Sequence, residues 1–277
     1  MAGLAFAVLL ILHAAAAQGG VIHYWQFEDG AFLDDSTGSA TLTNAGGTQL
    51  SLPTTGPGST FTGLSGGNAF ATDIDFTDSM SATLSDTPTG DFTVELFGHF
   101  DAFSASFGSV LAGFATSQSN NDIGWVVQAR TLSSVTNNFI LSVFDGASYE
   151  FVASGIGLQT DIDYYLAASW DQDGDATFYV QDLTNGTPLQ VVTKSHTLTA
   201  YNPINTFSIG ATSNGQLPTG GLFDEVRLSN SVLAQQDLLI ESWSSVAVPL
   251  PSSVWLFAAA AVLLPWARRR TQLASAR

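Results

Sequence analysis

The stretch Asp91-Phe92-Thr93-Val94-Glu95-Leu96 decides the fold. Its apolar residues alternate with polar ones, so Phe92, Val94 and Leu96 share one face of an extended chain, the period of a β-strand. Outward from it the same reading recurs. Val21-Ile22-His23-Tyr24-Trp25-Gln26-Phe27 is rich in aromatic and β-branched residues, and residues 124–129, 138–144, 164–170, 176–180 and 207–209 follow suit. Clusters of Gly, Asn and Asp separate these runs at turn-like intervals. Many short strands so spaced predict an all-β chain, an antiparallel β-sandwich. Phe223, Val226 and Leu228 near the end mirror Tyr24, Trp25 and Phe27 near the start. First and last strands are therefore expected side by side in one sheet. One helix is predicted, over residues 233–243, with Leu233, Leu238, Leu239 and Trp243 roughly on one side. Residues 30–67, rich in Gly, Thr and Ser, read as a long loop with one or two edge strands near 48–52. No linker or internal repeat divides residues 18–245, and about 230 residues suffice for one sandwich core.

Charge narrows the function. All 24 Asp and Glu fall between Glu28 and Glu241, against only Arg130, Lys194 and Arg227, so this part carries −21. Such a surface repels nucleic acid and excludes DNA or RNA as a partner. It favours divalent cations. Arg227 is expected to pair with Glu28, Asp29 or Glu225. There is no cysteine, which removes disulfides, zinc–thiolate sites and a thiol nucleophile together.

The two ends read as an address. Residues 4–12 are apolar and Ala14-Ala15-Ala16-Ala17 offers small residues for cleavage, so 1–17 reads as a signal peptide, although no basic residue precedes the apolar run. At the other end, 246–267 is uncharged and is followed by Arg268, Arg269 and Arg270. An apolar span with a basic flank leaves the flank on the cytoplasmic side and everything before it outside. The order of Val248-Pro249-Leu250-Pro251, hydrophobic span and Arg cluster resembles the PEP-CTERM sorting signal of exopolysaccharide-producing Gram-negative bacteria, in its VPLP variant, with Leu250 where the family usually has Glu. The resemblance implies a sorting segment over 246–277, a transient inner-membrane anchor and an exosortase-type processing enzyme as partner. It also implies a mature protein ending near 249–253 and residing on the cell surface or in the extracellular matrix.

Four landmarks, in order, resemble the laminin-G-like, concanavalin A-like jelly roll. They are His23-Tyr24-Trp25-Gln26-Phe27-Glu28-Asp29-Gly30 with Leu33-Asp34-Asp35-Ser36-Thr37-Gly38; Asp91-Phe92-Thr93-Val94-Glu95-Leu96-Phe97, with Phe97 in place of the family's Trp; Tyr165-Leu166-Ala167-Ala168-Ser169-Trp170-Asp171 with Ala176-Thr177-Phe178-Tyr179-Val180; and Gly220-Gly221-Leu222-Phe223-Asp224-Glu225-Val226-Arg227-Leu228-Ser229. The resemblance implies a jelly roll over 18–245 and calcium as a structural cofactor, with Glu28, Asp29 and Asp224 as ligands if the first and last strands pair. Oxygen ligands of this kind suit calcium.

Other constellations carry less. Asp171-Gln172-Asp173-Gly174-Asp175, with Asp182 twelfth, has the acidic spacing of an EF-hand loop, but Ala176 stands where glycine belongs. Asp-Gly between strands reads instead as a hairpin turn. His23, His99 and His196 are far apart with no triad-like setting, and no closely spaced E-x-D-x-x-E carboxylates appear. Trp125, Tyr149, Tyr164 and Tyr201 are the aromatics available to stack on sugar rings or to fill the core. The function expected is non-catalytic binding of a glycan or surface component. The alternatives are a purely structural matrix or adhesion protein and, last, a glycan-active enzyme.

Overall fold

The computed structural model describes residues 20–27, 33–44, 69–74, 79–104, 107–119 and 122–244. Residues 1–17, Glu28, Asp29, the 48–52 stretch, Val248, Pro249, Leu250, Pro251, Arg268, Arg269 and Arg270 lie outside the described residues.

The described residues form two antiparallel sheets, as the alternation predicts. The first runs in the order β1 (Val21–Trp25), β14 (Thr219–Ser229), β5 (Phe92–Phe103), β10 (Asp163–Trp170), β11 (Asp175–Asp182) and β12 (Gln190–Ser195), with β3 (Phe70–Thr72) also on β14. The second runs β2 (Thr43–Asn44), β4 (Met80–Thr83), β13 (Thr206–Ile209), β6 (Ser109–Ala115), β7 (Ile123–Leu132), β8 (Val135–Phe144) and β9 (Tyr149–Gly157). First and last strands are neighbours: Tyr24 lies opposite Arg227 and Trp25 opposite Val226.

Alternation fills the space between the sheets. Phe92, Val94 and Leu96 of β5, Trp125, Val127 and Ala129 of β7, and Leu166, Ala168 and Trp170 of β10 share one buried core. Phe92 stacks on Trp125 at 4.0 Å and lies 6.5 Å from Trp170, bridging the sheets. The Asp171–Asp175 turn joins β10 to β11: the Asp171 N–H donates to the Asp175 carbonyl at 2.9 Å and the Gly174 N–H to the Asp171 carbonyl at 3.1 Å. The hairpin reading of this segment holds. At the β14 bulge Gly221 has φ 141°, and a Cβ there would lie 2.0 Å from the His99 carbonyl oxygen, so only glycine fits.

The helix predicted over 233–243 is broken in two. A 3-10 turn, Gln235–Asp237, is followed by extended Leu238 (ψ 151°) and then α1 (Leu239–Ser244). The cause is competition from the sheet. Arg227 Nη2 donates to the Asp237 carbonyl at 2.7 Å, and the Leu239 N–H donates to Glu95 Oε1 at 2.8 Å. A continuous helix would need both backbone groups for itself.

The partner of Arg227 also differs from expectation. It is Glu95, which it meets through Nε at 2.5 Å and through Nη2, both side chains buried. Arg227 stands directly opposite Glu95 across the β14–β5 ladder. Glu225, at φ 50°, instead accepts the Tyr24 hydroxyl. Tyr165 donates to Glu95 Oε1 at 2.6 Å. Around this network Phe97, Tyr165, Tyr179, Leu233, Leu238 and Leu239 close the outer face of the first sheet with a second apolar cluster.

Candidate functional site

Where an apolar cluster covers the outer face of the first sheet, the outer face of the second sheet carries a cleft. Strand parity puts Val126, Gln128 and Arg130 of β7 on that face, opposite to Trp125, Val127 and Ala129. Val110, Ala115, Ile123 and Val126 form a small apolar floor there. The floor lies in a cleft of about 430 Å³. Its walls are Phe107, Tyr149, Phe151 and Leu217. Gln118, Gln128, Arg130 and Thr212 supply polar groups. Phe107 is 58% exposed. Tyr149 packs edge-on against Phe151 at 4.6 Å, and burial pushes its phenol up. The Arg130 guanidinium lies 4.3 Å from the centre of the Phe151 ring. Gln128 donates to Ser142 on the neighbouring strand. The wall that carries Leu217 is fixed to β6 by the Val110 N–H donating to the Leu217 carbonyl at 2.9 Å, and Leu217 sits at φ 56°. Non-glycine residues held in that region cost of order 1–3 kcal/mol and gather at binding sites. Aromatic walls with a few convergent polar groups are what a small-molecule or sugar site needs.

Of the four aromatics considered for sugar stacking, the structure brings only Tyr149 to this cleft. Trp125 is fully buried against Phe92, Phe114 and Phe207. Tyr164 is buried and its hydroxyl accepts the Gln159 N–H at 3.1 Å. Tyr201 lies edge-on to Phe92 and donates to the Gly90 carbonyl at 3.3 Å. Phe107, Phe151 and Arg130 were not among the sequence candidates. The signal for Arg130 lay in Trp125-Val126-Val127-Gln128-Ala129-Arg130, where polar residues at 128 and 130 mark the outward face.

The histidines are structural or peripheral. His196 stacks on Trp170 at 3.4 Å and bonds the Asp171 and Leu198 carbonyls. His23 is buried, with Nδ1 2.5 Å from Asp35 Oδ2 and Nε2 3.2 Å from Asp86 Oδ1. Asp35 also accepts the Tyr24 and Thr37 N–H groups at 2.8 and 2.9 Å. Burial works against the His23 charge, but the bond to Asp35 and the charges of Asp35 and Asp86 prevail and raise its pKa. Burial likewise opposes the Asp35 charge, yet His23 and the backbone N–H groups hold its pKa down. The sign follows from linkage. The raised His23 contributes stability below 6.5 that is lost as pH rises through its folded pKa. The lowered Asp35 contributes stability above 3.8 that is lost as pH falls through its folded pKa. His23→Gln should therefore flatten the fall in stability as pH rises above 6.5. Urea midpoints across that rise check this; the same fall in both proteins would refute it.

Two sets of groups bear on metals. Asp224 is buried within β14, and its Oδ1 accepts the Glu225 N–H at 2.8 Å. Its two expected companions, Glu28 and Asp29, lie outside the described residues. Separately, His99, Asp101 and Asp161 bring one ligand atom each within 4.8 Å of one another, and Asp163 bonds His99 Nδ1 at 2.7 Å. An imidazole with two carboxylates suits a transition metal better than calcium.

Residues 75–239 match the family model described as the concanavalin A-like lectin/glucanases superfamily. No curated protein sequence matches the chain. Among solved structures, one similar fold is domain 4 of AbnA, a GH43 extracellular arabinanase from Geobacillus stearothermophilus, in complex with arabinotriose. Identity is 15% and the TM-score 0.55, covering 78% of this chain and 94% of that one. The receptor binding domain of the botulinum neurotoxin C/D mosaic serotype is similar at 14% identity and TM-score 0.57, covering 82% of this chain and 51% of that one. The botulinum neurotoxin type G receptor binding domain gives 13%, 0.54, 81% and 51%. The chain thus spans about half the length of these neurotoxin domains. At such identities the likeness is one of fold.

Proposed function

The chain belongs to the concanavalin A-like lectin/glucanase superfamily, and on that premise we propose that it binds a glycan, without catalysis, in the cleft on the outer face of the second sheet. The observation that carries this reading is that an exposed Phe107 and Tyr149 line one polar-edged cleft. Sugar rings present apolar faces with hydroxyl rims, so aromatic walls and neutral polar groups match both. Hydrolysis of a glycosidic bond takes two carboxyl groups across the scissile bond. No Asp or Glu stands among the described lining residues, which supports binding over cleavage at this place. A relative in fold was solved with arabinotriose, which agrees with an oligosaccharide ligand. The test is a glycan array with the wild type, Phe107→Ala and Tyr149→Ala. Each variant should lose about fivefold or more in affinity for the bound glycans, about 1–3 kcal/mol of stacking, with Tm unchanged for the exposed Phe107→Ala. An array without any glycan bound would favour a purely structural matrix protein.

The address follows the sorting motif. The protein is exported, handled by an exosortase at Val248-Pro249-Leu250-Pro251 and held meanwhile by the span before Arg268, Arg269 and Arg270. The mass of the protein recovered from cells, ending near residues 249–253 or running to Arg277, decides this. Calcium is proposed as a structural ion held by Asp224 with Glu28 or Asp29. Trp25 pairs with Val226, two residues from Asp224, so the chain enters Glu28 three residues after that pair. Millimolar calcium should then raise Tm, a ligand at a hundredfold excess over Kd adding roughly 2.7 kcal/mol. Asp224→Ala should remove most of the gain, and identical melting with and without chelator would exclude the ion.

A further inference from the structure

We propose that the glycan recognised by the cleft is acidic, with a uronate-type carboxylate taken by Arg130. This rests on the glycan-binding reading above and adds the ligand's chemical class. Charge distribution carries it. The chain has 24 Asp and Glu, and none stands among the described residues that line the cleft. The only charged side chain in that lining is Arg130. Two other basic residues lie in residues 18–245. Arg227 is buried against Glu95, and Lys194 is exposed on β12, the edge of the other sheet. A surface with so large an acidic excess would readily give Arg130 a carboxylate neighbour by chance. Instead, among the described residues no ion pair reaches it, and the Phe151 ring holds its guanidinium.

The chemistry fits that placement. Contact over a ring engages the face of the guanidinium and leaves its in-plane N–H groups for a ligand. A planar carboxylate accepts two of them in parallel, the geometry that distinguishes arginine from lysine. Apolar walls shield the contact from water and strengthen it relative to an exposed pair. The net charge of −17 sets an opposite constraint at long range, since it repels dense polyanions. One cation within such a field suits a glycan with one acidic sugar per bound segment, flanked by neutral rings for Phe107 and Tyr149.

The experiment is calorimetric titration of the full chain with a panel of uronate-containing oligosaccharides, each beside its carboxyl-reduced neutral counterpart. The wild type should bind at least one acidic member about tenfold or more tightly than its reduced form, the size of a charge-assisted contact. Arg130→Gln should abolish that difference with Tm unchanged, and Arg130→Lys should restore part of it. Phe107→Ala should weaken acidic and reduced forms by the same factor. Equal affinity for acidic and reduced forms would overturn the acidic assignment and leave the glycan reading standing. Binding of an acidic peptide in place of every oligosaccharide, or of nothing, would overturn both.

Discussion

Replacement of Arg227 by alanine should cost the sandwich roughly 3–5 kcal/mol, the loss that follows when one partner of a buried ion pair is removed. Glu95 is fully buried on the outer face of the first sheet. Burial pushes its carboxyl up, opposed by Arg227, the Tyr165 hydroxyl and the Leu239 N–H. Without the guanidinium the carboxylate must stay buried unpaired or take a proton. The loss should therefore be largest near neutrality and shrink as acid protonates Glu95. A second effect adds to it, because Arg227 also holds the Asp237 carbonyl and with it the entry to α1. The double replacement Glu95→Leu with Arg227→Met should be close to neutral, since a matched apolar pair removes both desolvated charges. Urea denaturation of the wild type and the two variants checks this. A single variant within about 1 kcal/mol of wild type would show that the pair is solvated after all.

Trp125→Ala should cost a similar amount, about 3–5 kcal/mol, by opening a large cavity between the sheets. Its ring stacks on Phe92 at 4.0 Å and meets Phe114 and Phe207 edge-on. Trp125→Phe should cost much less. The indole Nε1 is buried without a hydrogen-bond partner, and phenylalanine removes that unsatisfied donor along with part of the volume. Glycan affinity of the folded Trp125→Phe protein should match wild type. Loss of binding with full stability would return Trp125 to the ligand site.

Trp125 and Tyr149 show how far the sequence could be read. Both are aromatic, both sit on strands, and side-chain chemistry alone does not separate them. Parity separates Trp125 from Arg130, since Trp125 falls in step with Val127 and Ala129 and Arg130 with Gln128, but Tyr149 falls in step with apolar Phe151 and Ala153 and gives no such signal. The period-two runs in β5, β7, β8 and β10 report which face meets the core between the sheets, although both faces of these strands are largely buried. The Arg227–Glu95 pair was not legible. The two residues are 132 positions apart, and their meeting depends on the register of β14 against β5, which shifts between Asp224 and Arg227. A sequence pattern fixes the face of a strand but not a bulge in it. The broken helix has the same origin, since the groups that interrupt it come from β5 and β14. The cleft combines strand residues with Phe107, Gln118, Thr212 and Leu217 from connecting segments, whose positions follow only once the second sheet is assembled.

The central claim is that a glycan sits in the cleft on the outer face of the second sheet. A crystal structure of the protein with its best-bound array oligosaccharide tests it most directly. The account predicts a sugar ring against Phe107 and Tyr149, over the floor of Val110, Ala115, Ile123 and Val126. A ligand seated elsewhere, with the cleft filled only by water, would contradict it.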